Sequence, residues 1–82
     1  MSAERSIDQR ILRTRQAIRQ ALIELIAEKG FDAVSITDLT ERAEINRGTF
    51  YLHYRDKYDL LEETELEIIA ELERIFQQSN DL

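Results

Sequence analysis

The sequence predicts an all-α fold: three helices in one small unit, then a longer fourth helix. Three observations predict it. Apolar residues recur at spacings of three and four along most of the chain, as amphipathic helices require. The 82 residues contain no proline, only two glycines and 43% hydrophobic residues, so little interrupts helix formation. The few interruptions carry helix punctuation, with Gly30 placed to end one helix and Ser35, Asn46 and Asp56 placed to cap the next ones.

The first helix is expected over about residues 7–29. Ile7, Ile11, Ile18, Leu22, Leu25 and Ile26 keep helical spacing, with Ala21 beside them. Its start falls between Ser6 and Thr14, and Met1–Arg5 form a frayed start or an arm. Lys29 in the last turn and Gly30 just beyond it suit a helix C-terminus. Phe31 and Val34 anchor a short link to the core. The second helix is expected over residues 36–43. Ser35 can accept a bond from the backbone N–H three residues on, and the Asp38 carboxylate suits the positive helix end. Ile36, Leu39 and Ala43 share one face. Glu44-Ile45-Asn46 breaks the pattern, and Ile45 is placed to plug the corner.

Asn46 caps a third helix over residues 47–53, whose Phe50, with Tyr54 four residues on, faces the core. Asp56 then caps a fourth helix running from Lys57 to about Gln78. Leu61, Ile68, Ile69, Leu72, Ile75 and Phe76 form its apolar stripe. The first part of this helix covers the three-helix unit. Ile69, Leu72, Ile75 and Phe76 reach past that unit, so they are either exposed or covered by other protein. The chain thus divides into residues 1–57 and 58–82.

The third helix opens unusually, with Arg47-Gly48-Thr49. Glycine costs about 1 kcal/mol against alanine in a helix interior. A helix that lays its first turn against another surface gains from the missing side chain. The second helix of a helix-turn-helix does this, because its N-terminal residues meet base edges in the DNA major groove. Arg47 could donate two bonds to guanine O6 and N7, and a cation is not otherwise favoured at a helix start. Thr49 offers a methyl and a hydroxyl to a base edge or phosphate, and Gly48 permits close approach. Thr37, in the first turn of the second helix, is a further candidate.

Composition limits the alternatives. There is no cysteine and one histidine, which leaves no thiol nucleophile, disulfide or thiolate metal site. No glycine-rich phosphate cradle is present, so no enzyme and no cofactor are expected. No stretch resembles a signal peptide or a membrane span, so a cytoplasmic protein without membrane contact is expected. The formal net charge of −6 is uneven: residues 1–57 carry +1 and residues 58–82 carry −7. Residues 1–23 alone carry +3, with Arg13, Arg15 and Arg19 facing solvent or a phosphate. Such a chain suits contact with DNA at one end only. Glu62, Glu63, Glu65 and Glu67 are most simply a solvated face.

The run from Thr37 to Leu61, with Gly-Thr-Phe-Tyr-Leu-His-Tyr at its centre, resembles the DNA-binding domain of tetracycline-repressor-like (TetR/AcrR) bacterial transcription regulators. The preceding Leu-Ile-Ala-Glu-Lys-Gly-Phe-Asp-Ala-Val-Ser-Ile resembles the end of that family's first helix and its link to the second. The likeness spans about Arg13 to Leu61. It departs from the family's pattern at Glu44, where glycine is common, and at Asn46, where serine is common. The resemblance implies a homeodomain-like helix-turn-helix that binds double-stranded DNA, as part of a repressor. It implies DNA contacts at Thr37, Asn46, Arg47, Gly48 and Thr49, and phosphate contacts at Tyr51, His53 and Lys57. Taken alone, His53 reads as a packing or capping residue more than as a contact, and Tyr58 as either core or contact. In the family, residues 58–82 would lead into a ligand-binding and dimerisation domain, and a homodimer would read an inverted repeat. The 82 residues by themselves are expected to bind DNA weakly, with strong salt dependence and no inducer response. The rival expectation is a helical protein-interaction module that uses the fourth-helix stripe.

Overall fold

A computed structural model describes residues 3–80, and the side chains of residues 8–79. Among the described residues the chain forms four α-helices: α1 (Ala3–Lys29), α2 (Ile36–Ala43), α3 (Arg47–His53) and α4 (Lys57–Asn80). A 3-10 turn, Phe31–Ala33, links α1 to α2. The chain is all-α. The first helix begins earlier than its apolar spacing suggests, and takes in Ala3–Arg5 of the expected arm. Alanine, glutamate and arginine are good helix formers, and nothing there breaks a helix. The rest of the expected arm, Met1 and Ser2, lies outside the described residues, as does the side chain of Ile7.

Ile18, Leu22, Leu39, Phe50 and Leu60 are fully buried, joined by Ala21, Leu25, Val34 and Tyr54. Every helix contributes to this core. Ile26, Phe31, Ile36, Ala43, Ile45 and Leu61 pack half-buried around it. Ile11 lies largely at the surface. In α4 the core position belongs to Leu60 and not Leu61, and one turn later to Thr64. A core-facing pair with one polar member is invisible to a search for apolar spacing. The packed unit therefore takes in the start of α4.

The turns hold α2 and α3 at their angle. Gly30 adopts φ 80°, ψ 153°, a region open essentially to glycine alone, while its N–H closes α1 on Ile26 O at 2.9 Å. Ser35 Oγ accepts from Asp38 N–H, and Asp38 Oδ2 accepts from Ser35 N–H, both at 3.0 Å. This reciprocal pair satisfies two N–H groups at the start of α2. Lys29 Nζ donates to the same carboxylate at 3.0 Å and ties the end of α1 to it. The Ser35 backbone bond, followed by Lys29, holds the Asp38 carboxyl below the usual range.

At its other end α2 closes through Glu44, at φ 58°, ψ 45°. Glu44 N–H donates to Glu41 O (3.3 Å) and Ile45 N–H to Thr40 O (3.0 Å). This is the Schellman pattern, with a left-handed residue after the helix and an apolar residue following it. Ile45 is that apolar residue and packs against the core. Arg42 secures the same end to α1 through Glu28 and Glu24.

Beyond Thr64, α4 leaves the core. Arg19 pairs with Glu67 at 3.1 Å. Ile69, Leu72, Ile75 and Phe76 are each about half exposed or more.

Candidate nucleic-acid interface

The third helix is two turns long, and successive residues are rotated by about 100° around it. Phe50 and Tyr54 face inward, with ring centroids 5.8 Å apart. Arg47, Gly48, Tyr51 and Leu52 form the opposite, exposed face. They stand in two rows one turn apart, Arg47 with Tyr51 and Gly48 with Leu52.

Arg47 is steered from two sides. Its Nη1 donates to Thr37 Oγ1 at 3.2 Å, and its guanidinium carbon lies 5.8 Å from the Tyr51 ring centroid. The first turns of α2 and α3 therefore meet through one side chain. Tyr51 is braced edge-on against Phe50 at 5.4 Å. A Cβ added at Gly48 would lie 3.4 Å from Asn46 Oδ1, an ordinary contact. Nothing inside the fold requires glycine there.

Asn46 and Thr49 are engaged with each other. Asn46 Oδ1 accepts from Thr49 N–H (2.7 Å) and from Thr49 Oγ1–H (2.9 Å). Thr49 is half-buried at the edge of the exposed face. Its hydroxyl donates to the cap, while its hydroxyl oxygen can still accept.

His53 is half-buried, and its Nδ1 accepts from Arg15 Nε at 3.4 Å. Burial, helped by the Arg15 charge, holds the imidazole pKa below its usual value. With Nδ1 accepting from Arg15, the neutral ring carries its proton on Nε2. Arg15 also lies over the Tyr54 ring, 5.8 Å from its centroid. Burial pushes the Tyr54 phenol pKa up.

Lys57 reaches back from the start of α4 to the 31–34 segment. Its ammonium donates to Phe31 O (2.8 Å), Asp32 O (3.1 Å) and Val34 O (2.9 Å), and it lies 4.5 Å from the Phe31 ring centroid. An ammonium has three donors, and these three carbonyls can engage all of them. The misfit of a cation at a helix start is resolved internally, by the carbonyls of the turn. Tyr58 is exposed, with its ring edge-on to Phe31 at 5.4 Å.

Two placements escape sequence reasoning. Arg15 reaches α3 across 38 residues, a separation with no local spacing signal. Leu52 is 83% exposed on the same face as Arg47, which only the helix orientation reveals. Among the described residues, no three histidine, cysteine or acidic side chains could hold a metal ion, and no helix is long and apolar enough to cross a membrane.

This geometry meets an independent comparison. Residues 18–64 match the family model of bacterial regulatory proteins, tetR family. The chain belongs to the tetR family. The tetR match runs from Ile18 to Thr64, which are the first and last residues buried among those described. An uncharacterized HTH-type transcriptional regulator of Bacillus subtilis (strain 168), YxbF, is 42% identical over 60 residues, covering 72% of this chain and 16% of the relative. A second from the same organism, YvdT, is 46% identical over 46 residues, covering 56% and 24%. The HTH-type transcriptional regulator AcrR of Shigella flexneri is 34% identical over 59 residues, covering 72% and 27%. The matched region thus spans only 16–27% of the length of these tetR-like relatives. No solved structure matches the chain.

Proposed function

We propose that this chain reads duplex DNA as the helix-turn-helix of a bacterial transcription regulator, with α3 in the major groove. The exposed face of α3 carries the reading. Arg47, Gly48 and Tyr51 stand there together, with Arg47 steered by Thr37 and Tyr51. Membership of the tetR family and the names of the relatives support the same reading.

Arg47 is the direct reader, with its guanidinium set for guanine O6 and N7. Gly48 lets the helix backbone approach the base edges. The Tyr51 phenol and the His53 Nε2–H donate to phosphates, and Thr37 contacts the backbone beside α2. Asn46, Thr49 and Lys57 act one step back: the first two hold the start of α3, and Lys57 fixes the linker to α4. The surplus of acid in residues 58–82 keeps α4 turned from the phosphates.

Two copies would read an inverted repeat with half-sites about 34 Å, or a multiple of that, apart. Occupying a promoter in this way represses transcription, in the bacterial cytoplasm where the DNA lies. A single copy of these 82 residues binds weakly, and its affinity falls steeply with salt.

Selection from a random duplex pool tests the reading, followed by fluorescence anisotropy on the winners between roughly 50 and 200 mM salt. A motif should emerge, and Arg47→Ala should relax it by about 1–3 kcal/mol at one base position. Absent binding, or binding uniform across sequences even at low salt, would overturn direct readout.

A further inference from the structure

Leu52 sits on the α3 face with Arg47, Gly48 and Tyr51, and the fold makes little use of it. It is 83% exposed, more than any other large apolar residue described, although it adjoins His53 and Tyr54, which both turn inward. An isolated exposed leucine carries no information by itself. Its row does. Gly48 lies one turn before Leu52, and helical side chains lean toward the N-terminus. The Leu52 side chain therefore projects over the gap that Gly48 leaves. Nothing inside the fold requires that gap, since a methyl at Gly48 would make only an ordinary contact with Asn46. The result is a shallow step on the reading face, floored by glycine backbone and walled on one side by an isobutyl group. Arg47 and Tyr51 form the neighbouring row.

The major-groove edges of the four base pairs offer one apolar group, the C5-methyl of thymine. We infer that Leu52 is a specificity-determining residue, and that it packs against the C5-methyl of a thymine in the half-site while Gly48 admits that base edge. Arg47 then reads a guanine and Leu52 a thymine close by in the same half-site, because the two rows lie side by side on one helix. This inference rests on the DNA-reading proposal above and adds a base identity to it.

The test removes one methyl group at a time. Each thymine of a selected duplex is replaced singly by deoxyuridine, and anisotropy is measured with the 82-residue chain and with Leu52→Ala. Burying a methyl contributes about 0.8 kcal/mol, so deoxyuridine at one position should weaken wild-type binding about fourfold. The Leu52→Ala protein should bind thymine and deoxyuridine duplexes equally. Circular dichroism should show its fold and melting unchanged, because the side chain is exposed.

If duplexes are bound but no thymine shows a methyl effect, the Leu52 assignment falls and the DNA reading stands. The assignment also falls if the effect persists in Leu52→Ala, or if that substitution instead dissolves a self-association without changing methyl sensitivity. If no duplex is selected even at low salt, both readings fall together.

Discussion

The glycines Gly30 and Gly48 are held in place by different physics. Gly30 has φ 80° and needs the freedom of a missing Cβ. Gly48 has ordinary helical geometry and space for a methyl, so nothing described within the chain accounts for a glycine there. Gly48→Ala should therefore leave the fold intact or stabilise it by about 0.5–1 kcal/mol through helix propensity. The same change should weaken duplex binding by about tenfold or more. Thermal melts and anisotropy on one preparation check both halves, and unchanged affinity would place the α3 face away from DNA. Glu44 poses the opposite problem, as a non-glycine residue at φ 58°. Left-handed geometry costs an L-residue about 1–2 kcal/mol, offset in part by the extra unfolded-state freedom of glycine. Glu44→Gly should then raise stability by about 0.5–1 kcal/mol, or a few degrees in melting temperature. A lower melting temperature would mean that the glutamate side chain holds the turn.

At the scale of elements, the helix-turn-helix is set by its ends. The Ser35–Asp38 pair fixes where α2 starts, and the closure over Glu44 and Ile45, with Asn46 and Thr49, fixes where α2 stops and α3 starts. Asp56 Oδ1 accepts from Asp59 N–H at 2.9 Å and does the same for α4, and Lys57 ties that start to the linker. A cation in a first helical turn opposes the dipole, but here it satisfies three carbonyls of the 31–34 segment. Lys57→Met should cost about 1–3 kcal/mol of stability, because it removes three charge-assisted bonds, though Phe31 O keeps its bond from Val34 N–H. Its effect on the salt dependence of DNA binding should be negligible. A phosphate-contacting lysine would lower that slope by about 1 when removed, so such a drop would return Lys57 to the interface.

For the molecule as a whole, the buried core ends where the family match ends, at Thr64. Helix α4 continues to Asn80 with no buried residue among those described after Thr64. Its apolar stripe at Ile69, Leu72, Ile75 and Phe76 stays about half exposed or more among the described residues. Helical stability in water comes mostly from packing of the apolar face. Amide exchange should therefore be slow from Leu60 to Thr64 and fast beyond Glu67, when followed on the chain at low concentration. Protection at Ile75 equal to that at Leu60 would show that a second copy covers the stripe.

The sequence by itself determined the order of the helices, the caps of α2 and α3, and most of the buried residues of α1 to α3, though not the start of α1 or the exposure of Ile11. These depend on spacing within one or two turns and on the chemistry of Gly30, Ser35, Asn46 and Asp56. It also marked Arg47 and Gly48 as unusual for a helix start. Tertiary structure decided which way each helix turns once packed. It put Leu60 and Thr64 inward where Leu61 was expected, because a buried threonine breaks an apolar pattern without breaking a helix. It brought Arg15 to His53, drew Lys57 onto three carbonyls and turned Thr49 to its cap. Those contacts join residues distant in the chain, or choose between two uses of the same polar atom. Local spacing holds no record of that choice, because it depends on which partner the packed helices bring within hydrogen-bond reach.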